Sequence, residues 1–295
     1  MRVGSTFLAV AAAAAISGCG GAAESAPPSP TASAGDKKHQ LEAAKADCMK
    51  QKGFKYVAFV SKQKWALQDD KRDSGDYSAM RKFREKYGFG VFAMHVYPKE
   101  FGNPAVKPDN PEINPNWAIQ SSLSKTQMSA YRKASDACMA VAVKQVLGLD
   151  VKSDMDYYGQ LNKASNRAIE STLNSDPRLV ELASAMATCL KGKGYSISGT
   201  TPKALSERGT KQFADQEDRL GRAQRDDIPD VPPPVKEGEI PTRYSPTLTP
   251  EEARPYLAKE IKAALDDLEC GKDFYAAYLP KDLAIQKQIN EQFGM

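Results

Sequence analysis

Two gap-free copies of one pattern, Cys48-Met-Lys-Gln-Lys-Gly53-Phe54 and Cys189-Leu-Lys-Gly-Lys-Gly194-Tyr195, constrain this chain more than any other feature. Each reads cysteine, apolar, lysine, any residue, lysine, glycine, aromatic. Leu41, Ala44 and Cys48 lead into the first copy, and Leu182, Met186 and Cys189 into the second, at the three- and four-residue spacings of an amphipathic helix. A glycine just past such a stretch supplies the positive φ that a helix C-terminus favours, and the lysines before it suit the negative end of the helix dipole. The aromatic then opens an extended run, 54–60 or 195–198, expected as a short strand. The unit is a helix, a stop and a strand, used twice.

A second pair of segments corresponds. Leu123-Ser124-Lys-Thr-Gln127 and Leu248-Thr249-Pro250-Glu-Glu252 both read as capping boxes, and Pro250 takes the first helical position. In each, a tyrosine lies eight residues after the leucine, at Tyr131 and Tyr256. Cys138 follows its tyrosine by seven residues and Cys270 by fourteen, so both cysteines are expected on the tyrosine face of their helices. Apart from Cys19 there are four cysteines, which allow three pairings. The repeat favours Cys48 with Cys138 and Cys189 with Cys270, one bridge inside each half; the alternatives cross between halves.

The N-terminus bears on whether those bridges can form. Met1 and Arg2 precede an apolar run from Phe7 to Ile16, followed by Ser17-Gly18-Cys19, the layout of a secretory signal. The run is too short to span a membrane, which takes about 20 residues. Ile-Ser-Gly-Cys resembles the lipobox of bacterial lipoproteins, so residues 1–18 are expected to be removed and Cys19 to carry the acyl chains that hold the protein on the membrane. Residues 19–35 are small, polar and proline-containing, and read as a flexible tether. In that oxidising setting an even number of cysteines is expected to form disulfides.

The lipobox, the Cys-Met-x-x-x-Gly-aromatic helix, the Asn-Pro segment ahead of Ser122-Leu123-Ser124, and the Asp176-Pro177-Arg178 helix leading to the second cysteine motif are similar to a group of actinomycete (Streptomyces-type) surface lipoproteins of unassigned function. The resemblance extends over most of the mature chain and implies an address and a cysteine framework, with no active site to carry over. Here the second helix has Cys-Leu in place of Cys-Met.

About 260 residues follow the tether, enough for a substantial core. The expected fold is mainly α with minor β, arranged as two related disulfide-closed halves, 36–150 and 151–295. Tyr87 to Tyr97 is the most β-like stretch, a core or edge strand that could line a groove. Gly102 to Pro115 and Ile228 to Pro246 read as extended proline-rich loops in corresponding positions. Asp215 to Asp227, dense in both signs, reads as an exposed charged helix, and the C-terminal helix as interrupted at Pro280.

Chemistry is sparsely signalled. Asp69 to Asp76 mimics a calcium loop, but Lys71 and Arg72 sit among the supposed ligands and no glutamate closes it. With only His39 and His95, and no CxxC, neither a Cys/His metal site nor a thiol-redox centre is expected. His95, between Met94 and Val96, reads as a core histidine, and the adjacent Asp266 and Asp267 point to different sides of a helix. No nucleophile elbow, zincin motif or phosphate loop occurs. No catalytic residue, metal or cofactor is therefore nominated. A net charge of +4, without a dense basic run, gives no reason to expect nucleic acid. The expectation is a non-catalytic binding or scaffold lipoprotein of the cell envelope, contacting the membrane through its lipid and an envelope protein or glycan through its folded part. The alternative is an envelope hydrolase acting on peptidoglycan or peptide. A transporter's substrate-binding subunit fits less well, since strand content is low.

Overall fold

A computed structural model describes residues 33–62, 67–103, 106, 112–231 and 242–295. The signal segment, Cys19 and residues 20–32 of the tether lie outside the described residues, as do parts of both proline-rich loops. The described chain is helical: α1 (Ala34–Gln51), α2 (Asp70–Asp73), α3 (Tyr77–Tyr87), α4 (Ala93–Val96), α5 (Pro115–Ser121), α6 (Lys125–Leu147), α7 (Asp154–Ile169), a π-helical turn (Glu170–Asn174), α8 (Pro177–Gly192), α9 (Pro202–Ala223), α10 (Pro250–Cys270) and α11 (Lys272–Phe293). None of these helices is long and apolar enough to cross a membrane.

Local hydrogen-bond chemistry sets most helix ends. Ser124 with Gln127, and Thr249 with Glu252, form the expected reciprocal capping boxes at α6 and α10. Asp176 caps α8 ahead of Pro177. The stops of α1 and α8 are the same Schellman motif. Phe54 N–H donates to Met49 C=O at 2.9 Å and Gly53 N–H to Lys50 C=O at 3.0 Å, while Tyr195 N–H donates to Leu190 C=O at 3.0 Å and Gly194 N–H to Lys191 C=O at 2.9 Å. Gly53 and Gly194 take φ of 81° and 87°. One further box, Ser33 with Asp36, starts α1 at Ala34, so the last three residues assigned to the tether belong to the helix and its cap.

Both bridges are made within halves, Cys48 to Cys138 and Cys189 to Cys270. Each ties together an antiparallel helix pair. In the first, Leu41 shares a core cluster with Val146 and Phe54 meets Tyr131; in the second, Lys193 and Tyr195 reach Asp266.

Packing crosses the chain's midpoint. The largest cluster gathers Leu41 and Val143 from the first half with Leu179, Met186, Leu268, Phe274 and Ile289 from the second. Another joins Tyr87, Phe92 and Val96 to Phe213 on α9 and Leu257 on α10. A third surrounds the first bridge with Met49, Tyr131 and Ala134.

Several expectations are corrected. No strand occurs among the described residues. The 54–60 run is extended, but Val57 is paired by one side chain: its N–H donates to Asn116 Oδ1 and its C=O accepts from Asn116 Nδ2, both at 2.8 Å. A carboxamide thus takes the place of a neighbouring strand. Tyr87 to Tyr97 is the end of α3, a turn with φ of 62° at Gly88 and 101° at Gly90, and α4. The charged run 215–227 is not wholly solvated. Asp218 and Arg222 are buried together at 2.7 Å, with Arg222 also donating to Pro229 C=O and Thr242 C=O. Proline does not interrupt α11, which buries Phe274, Tyr278, Ile285 and Phe293 on both sides of Pro280. Packing of that face offsets the roughly 3 kcal/mol cost of an interior proline.

Candidate functional site

The polar groups that a hydrolase would recruit are built into the fold. His95 is buried, and its Nε2 lies 2.7 Å from Glu217 Oε1, which also accepts from Ser245 Oγ at 2.8 Å. That arrangement ties α4 to α9 and to the segment leading into α10. His39 is exposed on α1. In the calcium-like run, Asp69 caps α2 and Asp76 caps α3, so two of its carboxylates are spent on backbone N–H groups. No cluster of three or more metal-ligating side chains occurs among the described residues. Asp266 and Asp267 do point apart: Asp266 meets Lys193, Lys262 and Tyr195 near the surface, whereas Asp267 is fully buried against Arg84, Arg208 and Tyr275.

Glu260 was not legible as a special residue. Its carboxylate, on α10, is fully buried and accepts three backbone N–H bonds, from Phe89 and Val91 at Oε1 (2.9 and 2.8 Å) and from Phe92 at Oε2 (2.8 Å). A Cβ at Gly88 would sit 2.7 Å from Glu260 Cγ, so glycine there permits the close approach. Burial pushes the carboxyl up from 4.5 to about 7 against the opposing pull of those backbone donors. The folded protein therefore holds one more proton than the unfolded chain between those pH values, and this residue's contribution falls as pH rises through that window. The whole swing is about 3 kcal/mol. Glu260→Gln is expected to abolish it: wild type should lose about that much relative to the variant between pH 4.5 and 8 in urea titrations. A difference independent of pH would refute the assignment.

The turn held by Glu260 carries Phe89 into a groove of about 530 Å³, with Leu67, Phe83, Met94 and Phe101 as further apolar lining. Of residues 87–97, Phe89 and Met94 line this groove, whereas Phe92, Ala93 and Val96 are core, the role expected of the stretch. The groove's charges are mutually neutralised: Arg72 pairs with Asp73 at 2.7 Å and lies over the Phe83 ring, and Lys86 pairs with Glu100 at 3.0 Å.

A second groove, of about 500 Å³, opens where α1, α5 and α6 meet. Phe54, Ala118, Ile119, Leu123 and Tyr131 line it, with Lys55, Ser122 and Gln127 as polar lining. Phe54 stands edge-on to Tyr131 with ring centroids 5.6 Å apart. The relief continues past Phe54 along Asp47, Lys50 and Tyr56. Ile113, just before α5, and Trp117, on α5, are 68% and 67% exposed, large apolar side chains left in solvent. Unlike the aromatic groove, this one carries lysines that make no ion pair among the described residues. The repeat motif marked Phe54 and its lysines as a helix stop and not as a site, and the contribution of α5 was not anticipated. No protein-family model, curated protein or solved structure matches the chain.

Proposed function

We propose that the protein is a lipid-anchored module on the extracytoplasmic face of the cell membrane, with a non-catalytic binding or scaffold role. The observation that carries the binding reading is the division of labour between polar groups and relief. His95, Glu260 and Asp267 are each consumed by a structural partner, while the open features are apolar grooves. The lipobox at Cys19 supports the anchor, and two disulfides suit an oxidising compartment. The common Schellman stop, capped partner helix and bridge support an origin of the two halves by duplication. The likeness to actinomycete surface lipoproteins rests on the sequence motifs and gives the same address.

The anchor is tested by feeding cells an alkynyl palmitate and tagging the recovered protein. Wild type is expected to incorporate label and remain with membranes, and Cys19→Ala to lose both. A labelled Cys19→Ala protein would overturn the assignment. The binding role is tested by crosslinking in intact cells followed by mass spectrometry. A reproducible envelope partner, lost when groove residues are replaced, supports it; specific turnover of peptidoglycan or peptide by the pure protein would replace it with the hydrolase reading.

A further inference from the structure

The two bridged helix pairs use the same positions differently. In the second pair, Lys193, four residues after Cys189, donates to Asp266 and Glu269, both at 3.0 Å. These carboxylates lie four residues and one residue before Cys270, and Tyr195 OH also donates to Asp266, at 2.7 Å. Arg208 of α9 stacks over the Tyr195 ring, with its guanidinium 5.2 Å from the centroid. The polar chemistry of this surface is closed on itself. In the first pair the lysine four residues after the cysteine is Lys52, but the positions four and one before Cys138 are Ala134 and Ala137. Phe54 replaces the tyrosine, and α5 stands beside it as the wall of an open groove. Lys50, Lys52 and Lys55 are exposed and make no ion pair among the described residues; Asp47 is the one carboxylate lining the same relief.

An apolar trough beside surplus cationic charge selects for a ligand that is apolar at one end and anionic at the other. Apolar contact supplies the attraction and a charge-assisted hydrogen bond the orientation. A volume of about 500 Å³ lies within the range of small-molecule sites. We propose that the groove between the stop of α1, α5 and α6 binds a single-chain anionic amphiphile, its chain along Phe54, Ile119 and Leu123 and its carboxylate or phosphate at Lys50 and Lys55, the two lysines that line the relief. This rests on the reading of the protein as a binding module. It is independent of the anchor, whose label is read separately, so each fails on its own evidence.

The test uses the exported chain with Cys19→Ser, which carries no acyl group of its own. Decyl phosphate, decyl maltoside and decyl trimethylammonium are titrated by calorimetry below their micelle concentrations. Saturable one-to-one binding of decyl phosphate alone is expected. Lys50→Glu with Lys55→Glu should weaken it about tenfold or more, and Ile119→Asp should abolish it. Lys82→Glu, exposed on α3, should leave it unchanged, and circular dichroism should report each variant as folded. Vesicle sedimentation checks the source: a groove that takes one free chain is expected to bind decyl phosphate without retention by phosphatidylglycerol vesicles, and retention by them but not by phosphatidylcholine vesicles, lost in the double lysine variant, would overturn the single-chain assignment in favour of a bilayer lipid. Absence of decyl phosphate binding, equal binding of decyl maltoside, or indifference to the lysine and Ile119 changes would overturn the proposal.

Discussion

Replacing either cysteine pair with alanine is expected to lower stability by about 4 to 5 kcal/mol, because each bridge closes a long loop in the unfolded chain, with separations of 90 and 81 residues. For a chain of this size that is a fall of roughly 10 to 15 °C in the thermal midpoint. The two bridges should nevertheless respond differently to reductant. Cys138 is wholly buried and Cys48 nearly so, packed among Met49, Tyr131 and Ala134, whereas Cys189 is exposed and Cys270 partly so. Mild thiol is therefore expected to open Cys189–Cys270 in the folded protein while Cys48–Cys138 survives until the chain unfolds, since exchange requires access to sulfur. Alkylation and mass spectrometry of the reduced species read the order directly. Simultaneous reduction in the native state, or a loss below about 1 kcal/mol for either pair, would refute this account.

What could be read from the sequence is what acts over a few residues. The Ser124 and Thr249 boxes, the Asp176-Pro177 start and the glycine stops at Gly53 and Gly194 depend on hydrogen bonds between groups at most five residues apart. The cysteine pairing followed because those local units repeat. The misread elements answer to distant partners. Phe89 to Phe92 looked like strand because its residues are apolar and aromatic, yet the N–H groups of Phe89, Val91 and Phe92 go to Glu260 on α10. Asp218 and Arg222 looked solvated because nothing nearby in sequence announced that residues 242–244 return over them. Pro280 looked like an interruption because propensity alone cannot weigh the core face of α11. The candidate site was not legible as a site. The repeat shows Phe54 and its lysines only as a helix stop, and the contrast of Ala134 and Ala137 with Asp266 and Glu269, though it can be counted from the cysteines, has no meaning until the pairs are seen packed. That α5 walls the groove cannot be counted at all.

Asp267 should be the residue whose loss most damages the second half, and its neighbour one of those that matter least. Its Oδ1 accepts from Arg84 of α3 at 2.7 Å and from Tyr275 of α11 at 2.6 Å, and its Oδ2 from Arg208 of α9 at 3.3 Å. Four helices, α10 included, thus converge on one fully buried carboxylate. Arg84 has a further acceptor in Ala264 C=O at 2.8 Å, but Asp267 is its buried counter-charge. Asp267→Ala leaves two guanidinium groups in the interior with no carboxylate between them, and is expected to cost about 3 to 5 kcal/mol. Asp267→Asn preserves the shape and should recover little. Removing the charges together, as Arg84→Met, Arg208→Met and Asp267→Leu, is expected to restore most of the loss, because the penalty lies in unpaired buried charge. Asp266 lies one residue away on the opposite side. The Lys262 ammonium, the Tyr195 hydroxyl and Lys193 hold its carboxyl well below the ordinary range, but at the edge of solvent, so Asp266→Ala should cost under about 1 kcal/mol and less in high salt. Urea unfolding of the four variants beside wild type decides the matter: equal losses at 266 and 267, or a charge-free triple no better than Asp267→Ala, would show that packing and not charge pairing holds α3, α9 and α11 to α10.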